Sequence, residues 1–323
     1  MSTEQPVNGS KIPSLNRVPD KESDFFPPLC EVVSEFLEEL LAKGGPEESD
    51  YLRLDAWFRT LDEWIERGFY VSKDLHTIWE AWPHLFLTTN TLQGFVITRP
   101  HGYAGDFELI DRMYTWWKSP DPALARWDAY AHARPACQSV RNRKRFFIDT
   151  MLALYAARGP LRILDVGSGP GRDVRELLEK EGEGIRVDCL DQDARALAHA
   201  RGVIGPLGLN RVQFIHANAL RFAASESYDV VWSAGLFDYL SDRLFVRLLT
   251  RLLRMTRPGG EVIVGNFGED NPSRPYMEFG HWFLNHRSEA CLIGLAKKAG
   301  VPRERIRVER EPEGINLFLR VTK

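Results

Sequence analysis

The sequence predicts an α/β fold: a mostly parallel sheet with helices on both faces, closed by an antiparallel hairpin and preceded by a helical segment. Three observations carry this. After residue 158, strand-like and helix-like runs alternate. The first strand-like run ends in a turn with three glycines, Gly167, Gly169 and Gly171, and then a helix. The last two strand-like runs, 306–310 and 316–321, are separated only by Glu311-Pro312-Glu313-Gly314-Ile315. That link is too short for a helical crossover, so those two strands must pair antiparallel.

Before residue 158 the pattern is helical. Leu29, Val32, Val33, Phe36, Leu37, Leu40 and Leu41 recur at three- and four-residue spacing, and Gly44-Gly45-Pro46 stops the run. Leu54, Trp57, Phe58, Leu61, Trp64 and Ile65 share one face of a second helix. Shorter helices are expected around 75–82, 106–117, 123–133 and 139–157. Tryptophan is dense here, at 57, 64, 79, 82, 116, 117 and 127, and most of these are expected to pack between helices. The polar start, rich in Ser, Pro and Asn, should be flexible over residues 1–24. The division expected is then 25–157 as a helical lid or substrate region and 158–323 as the ligand-binding domain.

In the second part the strand candidates are 162–166, 186–190, 211–217, 228–233, 260–267, 306–310 and 316–321. Runs such as 162–166 and 228–232 are short and apolar, as strands buried on both faces should be. Ligands of open α/β sheets sit past the carboxyl ends of the central strands. That gathers 165–171, Asp191, Asn218 and 233–237 around one crevice.

The turn reads Leu164-Asp165-Val166-Gly167-Ser168-Gly169-Pro170-Gly171. Its glycines remove side chains where backbone must bend and a ligand must lie close. With the acid before the first glycine and Asp191 about twenty residues on, the chain resembles the class I S-adenosylmethionine-dependent methyltransferases. The resemblance implies a Rossmann-like seven-stranded methyltransferase sheet with a C-terminal hairpin, and S-adenosyl-L-methionine as cofactor. It also implies roles for residues. Asp165, Gly167, Gly169 and Gly171 cradle the methionine part. Asp191, with Gln192 beside it, takes the ribose hydroxyls; Asp193 is the better helix cap. Asn218 stands where relatives usually have Asp for the adenine amino group, and Ala219 offers its amide to the ring. Ser233 opens the segment that walls the cofactor. Arg141, Arg143 or Arg172 can meet the cofactor carboxylate, and Arg141 is the residue chosen.

Besides the charged run 140–145, which lies just before the ligand-binding domain where a helix can cover the pocket, two segments outside this core are expected to choose the acceptor. One is the loop His101-Gly102-Tyr103-Ala104-Gly105-Asp106-Phe107. The other runs from Asn266 to Arg287 and carries Arg274, Tyr276, Met277, Glu278, His281, Trp282 and His286. Together they resemble a narrower bacterial group, some of whose members make the methyl ester of a 3-hydroxy fatty acid. His101 departs from that group's usual Arg, and Pro275 separates Arg274 from Tyr276. The catalytic candidates are Tyr103 and Tyr276 as donors, His281 and Arg287 to orient a carboxylate, and Asp106 as a base should the acceptor carry a proton.

Net charge is −3, so no overall basic field recruits nucleic acid. Cys30, Cys137, Cys189 and Cys291 are far apart and lack metal spacing, which suits free thiols in a reducing compartment. No metal site, no leader peptide and no membrane span are expected, so the protein is read as cytoplasmic. The expected function is methyl transfer to a small-molecule acceptor, with a carboxylate oxygen first. The alternatives are N- or O-methylation of a specialised metabolite and a non-catalytic, cofactor-binding partner subunit.

Overall fold

The computed structural model describes residues 27–180, 183–207, 209–224 and 227–323. The expectation for residues 1–24 falls outside them. The described residues form two compact units: one of residues 27–100, 118–131 and 275–282, and one of 101–117, 132–274 and 283–323. The chain does not divide near residue 158, and each unit's core gives the reason.

The helical unit begins with α1 (Leu29–Ala42), α2 (Tyr51–Glu66), α3 (Leu75–Ala81), α4 (Pro83–Phe86) and α5 (Leu92–Thr98). The apolar stripes of α1 and α2 are buried as their spacing requires. Trp57 lies fully inside, edge-on to Phe58 at 4.9 Å and 5.8 Å from Phe279. Phe279 is what ties segment 275–282 to this core: it also meets Phe58, Trp79 and Phe86. Helices α4 and α5 fall where no helix was expected. Pro83 starts one, and the Thr91 hydroxyl caps the other by accepting from the Gly94 amide at 2.9 Å.

Further along the chain come α6 (Phe107–Tyr114), α7 (Pro122–Ala133) and α8 (Pro135–Arg158). The core explains why α8 belongs with the sheet. Phe147, Ile148, Met151 and Leu154 pack into the same cluster as Leu161, Ile163, Trp232 and Phe318, and Phe146 stacks on Phe318 at 3.9 Å.

Seven strands make that sheet: β1 (Leu161–Val166), β2 (Ile185–Asp191), β3 (Val212–His216), β4 (Tyr228–Ser233), β5 (Thr256–Phe267), β6 (Ile306–Arg310) and β7 (Asn316–Thr322). Their order is β3-β2-β1-β4-β5-β7-β6. The first five run parallel, and β7 lies antiparallel between β5 and β6. The expected terminal hairpin therefore forms. Helices α9 (Arg172–Lys180), α10 (Ala194–Ile204), α11 (Asp242–Met255), α12 (Arg274–Phe279) and α13 (Glu289–Lys298) complete the chain. Strand β1 is followed in sequence by β2 on one side and flanked by β4 on the other. The strand order reverses there, so the crevice opens at the carboxyl ends of β1 and β4. Among the described residues, no helix is long and apolar enough to cross a membrane.

Candidate functional site

The glycine turn is built by hydrogen bonds to the end of β2. The Gly167 amide donates to the Leu190 carbonyl at 2.8 Å, and the Gly169 amide donates to Asp191 Oδ2 at 3.1 Å. Gly169 has φ +56° and lines the cavity, and a Cβ there would meet nothing within 4 Å. Gly171 differs. A Cβ there would sit 2.9 Å from the Ala200 Cβ, so this glycine lets α9 approach α10. It does not line the cavity, and the reading of Gly171 as a cofactor contact is corrected to a packing role.

A cavity of about 400 Å³ opens beside the turn, wholly within the sheet unit. Asp165, Gly167, Gly169, Asp191, Gln192, Asn218 and Ala219 line it, as expected. Burial raises the Asp191 carboxyl, while the amides of Asp193 and Gly169 pull the other way. Asn218 Oδ1 accepts from the Leu220 amide at 2.9 Å and keeps a second lone pair. Burial, followed by the neighbouring carboxylates of Asp173 and Asp191, raises the Asp165 carboxyl well above its ordinary range. Its Oδ2 is buried without a hydrogen-bond partner.

The cation that faces this cluster is Arg143, not Arg141. Arg143 is buried, lines the cavity, and reaches the Ala234 carbonyl at 3.4 Å and the Tyr114 hydroxyl. Arg141 stacks on Trp116 at 3.7 Å and spends its donors on the His132 carbonyl, His132 Nδ1, Cys137 Sγ and Gln138 Oε1. Residues two apart on a helix point to different sides, so only one of the pair can face the crevice. Arg172 is held by Asp111.

Ser233 is also corrected. It is fully buried and donates to the Val166 carbonyl at 2.8 Å, which ties β4 to β1 beneath the turn. Asp106 does not line the cavity. Its carboxylate caps α6 by accepting from the Glu108 and Leu109 amides, both at 3.0 Å. Arg287 is no cavity residue either. It is buried and donates to the Phe237 carbonyl, Asn266 Oδ1 at 2.7 Å and Asp242 Oδ1, a clamp that fixes the segment after β5.

Tyr276 and His281 belong to the helical unit. Tyr276 meets Phe58 and Tyr130 edge-on at 5.0 and 5.4 Å. His281 has φ +55° and pairs with Ser72 Oγ at 2.9 Å, while Arg99 donates to its carbonyl. Of the catalytic candidates, Tyr103 alone lines the cavity of the sheet unit.

Leu236 lines the cavity as part of the expected 233–237 segment; Tyr114, Trp232 and Tyr239 also line it and were not singled out. Tyr114 ends α6 and Trp232 sits inside β4, positions that read as ordinary core in a sequence. Burial pushes the Tyr114 hydroxyl up to about 12.

The donor set suits a cofactor with an ammonium, a carboxylate, ribose hydroxyls and an adenine. The partnerless Asp165 Oδ2 matches the first, Arg143 the second, Asp191 the third and Asn218 the fourth. A cavity of this size, mostly apolar with a few placed polar groups, has the character of a small-ligand site.

Fold and site together define a Rossmann-like α/β domain with a small-ligand cavity whose lining suits S-adenosyl-L-methionine. Residues 163–260 match the family described as methyltransferase domain. The chain is 30% identical over 163 residues to the trans-aconitate 2-methyltransferase of Streptomyces avermitilis, covering 48% of this chain and 56% of that protein. It is 30% identical over 151 residues to the malonyl-[acyl-carrier protein] O-methyltransferase of Enterobacter lignolyticus, covering 44% and 53%. The chain thus spans about half the length of the curated relatives it matches. A possible exported protein from Bordetella parapertussis shares the fold, with TM-score 0.56 at 19% identity, over 68% of this chain and 79% of that one.

Proposed function

We propose that this protein is a cytoplasmic S-adenosylmethionine-dependent methyltransferase that acts on a small molecule, forming a methyl ester on a carboxylate oxygen. The observation that carries the reading is the single cavity that Asp165, Gly169, Asp191, Asn218 and Arg143 all line. The names of the two relatives, one a trans-aconitate and one a malonyl-carrier O-methyltransferase, favour an acid as acceptor. A 3-hydroxy fatty acid is the first acceptor to try, on the resemblance of the 101–107 loop and the segment ending at Arg287.

When bound, the cofactor supplies a sulfonium methyl already activated for in-line displacement. The chain's own work is then to bind, align and keep water out. Asp191 accepts from the ribose hydroxyls and holds the Gly169 turn. Arg143 meets the cofactor carboxylate, and Asp165 its ammonium. Tyr103, Ala104 and Tyr239 line the same cavity, with the Tyr239 hydroxyl donating to the Ala104 carbonyl. A carboxylate acceptor carries no proton to remove, so the reading needs no general base. This agrees with Asp106 being committed to a helix cap.

The test is incubation with methyl-labelled S-adenosylmethionine and a panel of 3-hydroxy fatty acids and small di- and tricarboxylic acids. The expected product loses its label as methanol on mild alkaline treatment. Label that survives alkali, on nitrogen or on an ether oxygen, refutes ester formation. No transfer to any acid of the panel, with the cofactor still bound, refutes the carboxylate reading for these acids and favours the non-catalytic partner subunit.

A further inference from the structure

The segment from His101 to Asp106 crosses the cavity as a strap. Tyr103, Ala104 and Gly105 line the cavity from it. Its far end is anchored. Asp106 caps α6, Asp111 of α6 pairs with Arg172, and Phe107 packs between the His101 and His199 rings at 4.5 and 5.4 Å. His101 Nε2 pairs with Glu108 at 2.9 Å at the start of the strap, and three further hydrogen bonds near solvent link it to residues outside α6. The Tyr103 hydroxyl donates to Asp193 Oδ2 at 3.2 Å. Arg195 donates to the His101 carbonyl at 2.8 Å. The Tyr239 hydroxyl donates to the Ala104 carbonyl at 3.0 Å. Two glycines with positive φ, Gly102 at +89° and Gly105 at +70°, bracket Tyr103 and Ala104. A short run between such glycines swings with little steric cost. Exposed hydrogen bonds of this kind are individually weak.

We propose that residues 102–105 form a latched strap over the cofactor cavity, and that Tyr103 is a positioning residue that sets how fast the cofactor enters and leaves. The latch closes on Asp193, two residues from the ribose-binding Asp191, so it guards the ribose end. Burial and then the carboxylates of Asp191 and Asp193 hold the phenol well above its ordinary range, so it stays a donor at neutral pH. Asp193 remains a charged acceptor there: burial works against it, but its hydrogen bonds with Arg195 keep it low. The inference rests on the reading above for which ligand enters. The latch itself is a contact between two residues of the chain. Its loss therefore acts on opening, and the rates of entry and exit move together.

Two measurements test this on the full chain. Hydrogen exchange of the protein alone reads the latch without any ligand. In Tyr103→Phe, and in Asp193→Asn, which keeps a good helix cap, amides 101–105 should exchange about three- to tenfold faster while α10 is unchanged. Unchanged exchange in both variants overturns the latch. Surface plasmon resonance with S-adenosylhomocysteine then reads the gate. Association and dissociation should both rise by a similar factor in Tyr103→Phe, leaving the Kd within about threefold. A rise in dissociation alone makes Tyr103 a static contact and refutes gating. If the wild type does not bind S-adenosylhomocysteine, the methyltransferase reading fails, and the gating role assigned to Tyr103 is overturned with it.

Discussion

The amide of Gly169 donates to Asp191 Oδ2 at 3.1 Å, across 22 residues of chain. One carboxylate therefore does two jobs. Oδ2 holds the glycine turn, and Oδ1 accepts from the Asp193 amide at 2.9 Å, which fixes the start of the next helix. Ribose hydroxyls would use the lone pairs that remain.

Asp191→Ala should lower affinity for S-adenosylmethionine by one to two orders of magnitude, since hydrogen bonds to a charged group are worth about 1.5–3 kcal/mol. Asp191→Asn keeps an acceptor for Gly169 and should lose less. Isothermal titration calorimetry on folded variants checks both, and an unchanged Kd in Asp191→Ala removes the ribose assignment.

The two arginines of α8 should separate cleanly. Arg143→Met should weaken cofactor binding by about tenfold or more, because it removes a buried charge-assisted partner from the cavity. Arg141→Met should lower the melting temperature instead, since it removes a donor from the His132 carbonyl and the guanidinium from over the Trp116 ring. Calorimetry and thermal melts on the pair decide. A tenfold binding loss in Arg141→Met would return that residue to the cofactor site.

Arg287→Met should act on folding. It leaves the buried Asn266 Oδ1 without this donor, while the Phe237 carbonyl keeps the Leu240 amide, and an unsatisfied buried acceptor costs about 1–3 kcal/mol. Urea unfolding should show a loss of about 1–3 kcal/mol. A fully stable variant that binds cofactor but no longer turns over would instead put Arg287 at the acceptor.

Asp238 gives a pH signature. It is buried, its carboxylate accepts from the Phe267 amide, and burial raises its carboxyl from 3.8 to about 6, against the pull of that amide, Arg143 and Arg287. Between those values the folded protein binds more protons than the unfolded chain. This contribution to stability is therefore full below about pH 4 and declines as pH rises to 6, by up to about 3 kcal/mol. Asp238→Asn keeps the acceptor and cannot ionise. Denaturation from pH 4 to 7 should show the variant gaining on the wild type as pH rises. Parallel curves would mean that Asp238 is charged throughout.

Local chemistry wrote the sheet half of the chain plainly into its sequence. The short apolar runs 162–166 and 228–232, set among alternating helices, read as strands buried on both sides. The five residues from Glu311 to Ile315 leave the last two strands no choice but to pair antiparallel. The turn after β1 and the acid at the end of β2 fixed the crevice, because backbone spacing alone brings Gly169 to Asp191. Tertiary structure decided what local pattern leaves open. Arg141 and Arg143 are chemically equal in sequence, and only the packing of α8 on the sheet turns one to the cavity and the other to Trp116. The helix α8 reads as part of the helical segment, yet Phe146 and Phe147 commit it to the sheet, just as Phe279 commits a late segment to the helical unit. Asp106, Ser233 and Arg287 have side chains fit for chemistry. Each is buried against backbone groups that need a partner, and that demand, invisible along the chain, assigns them to holding the fold.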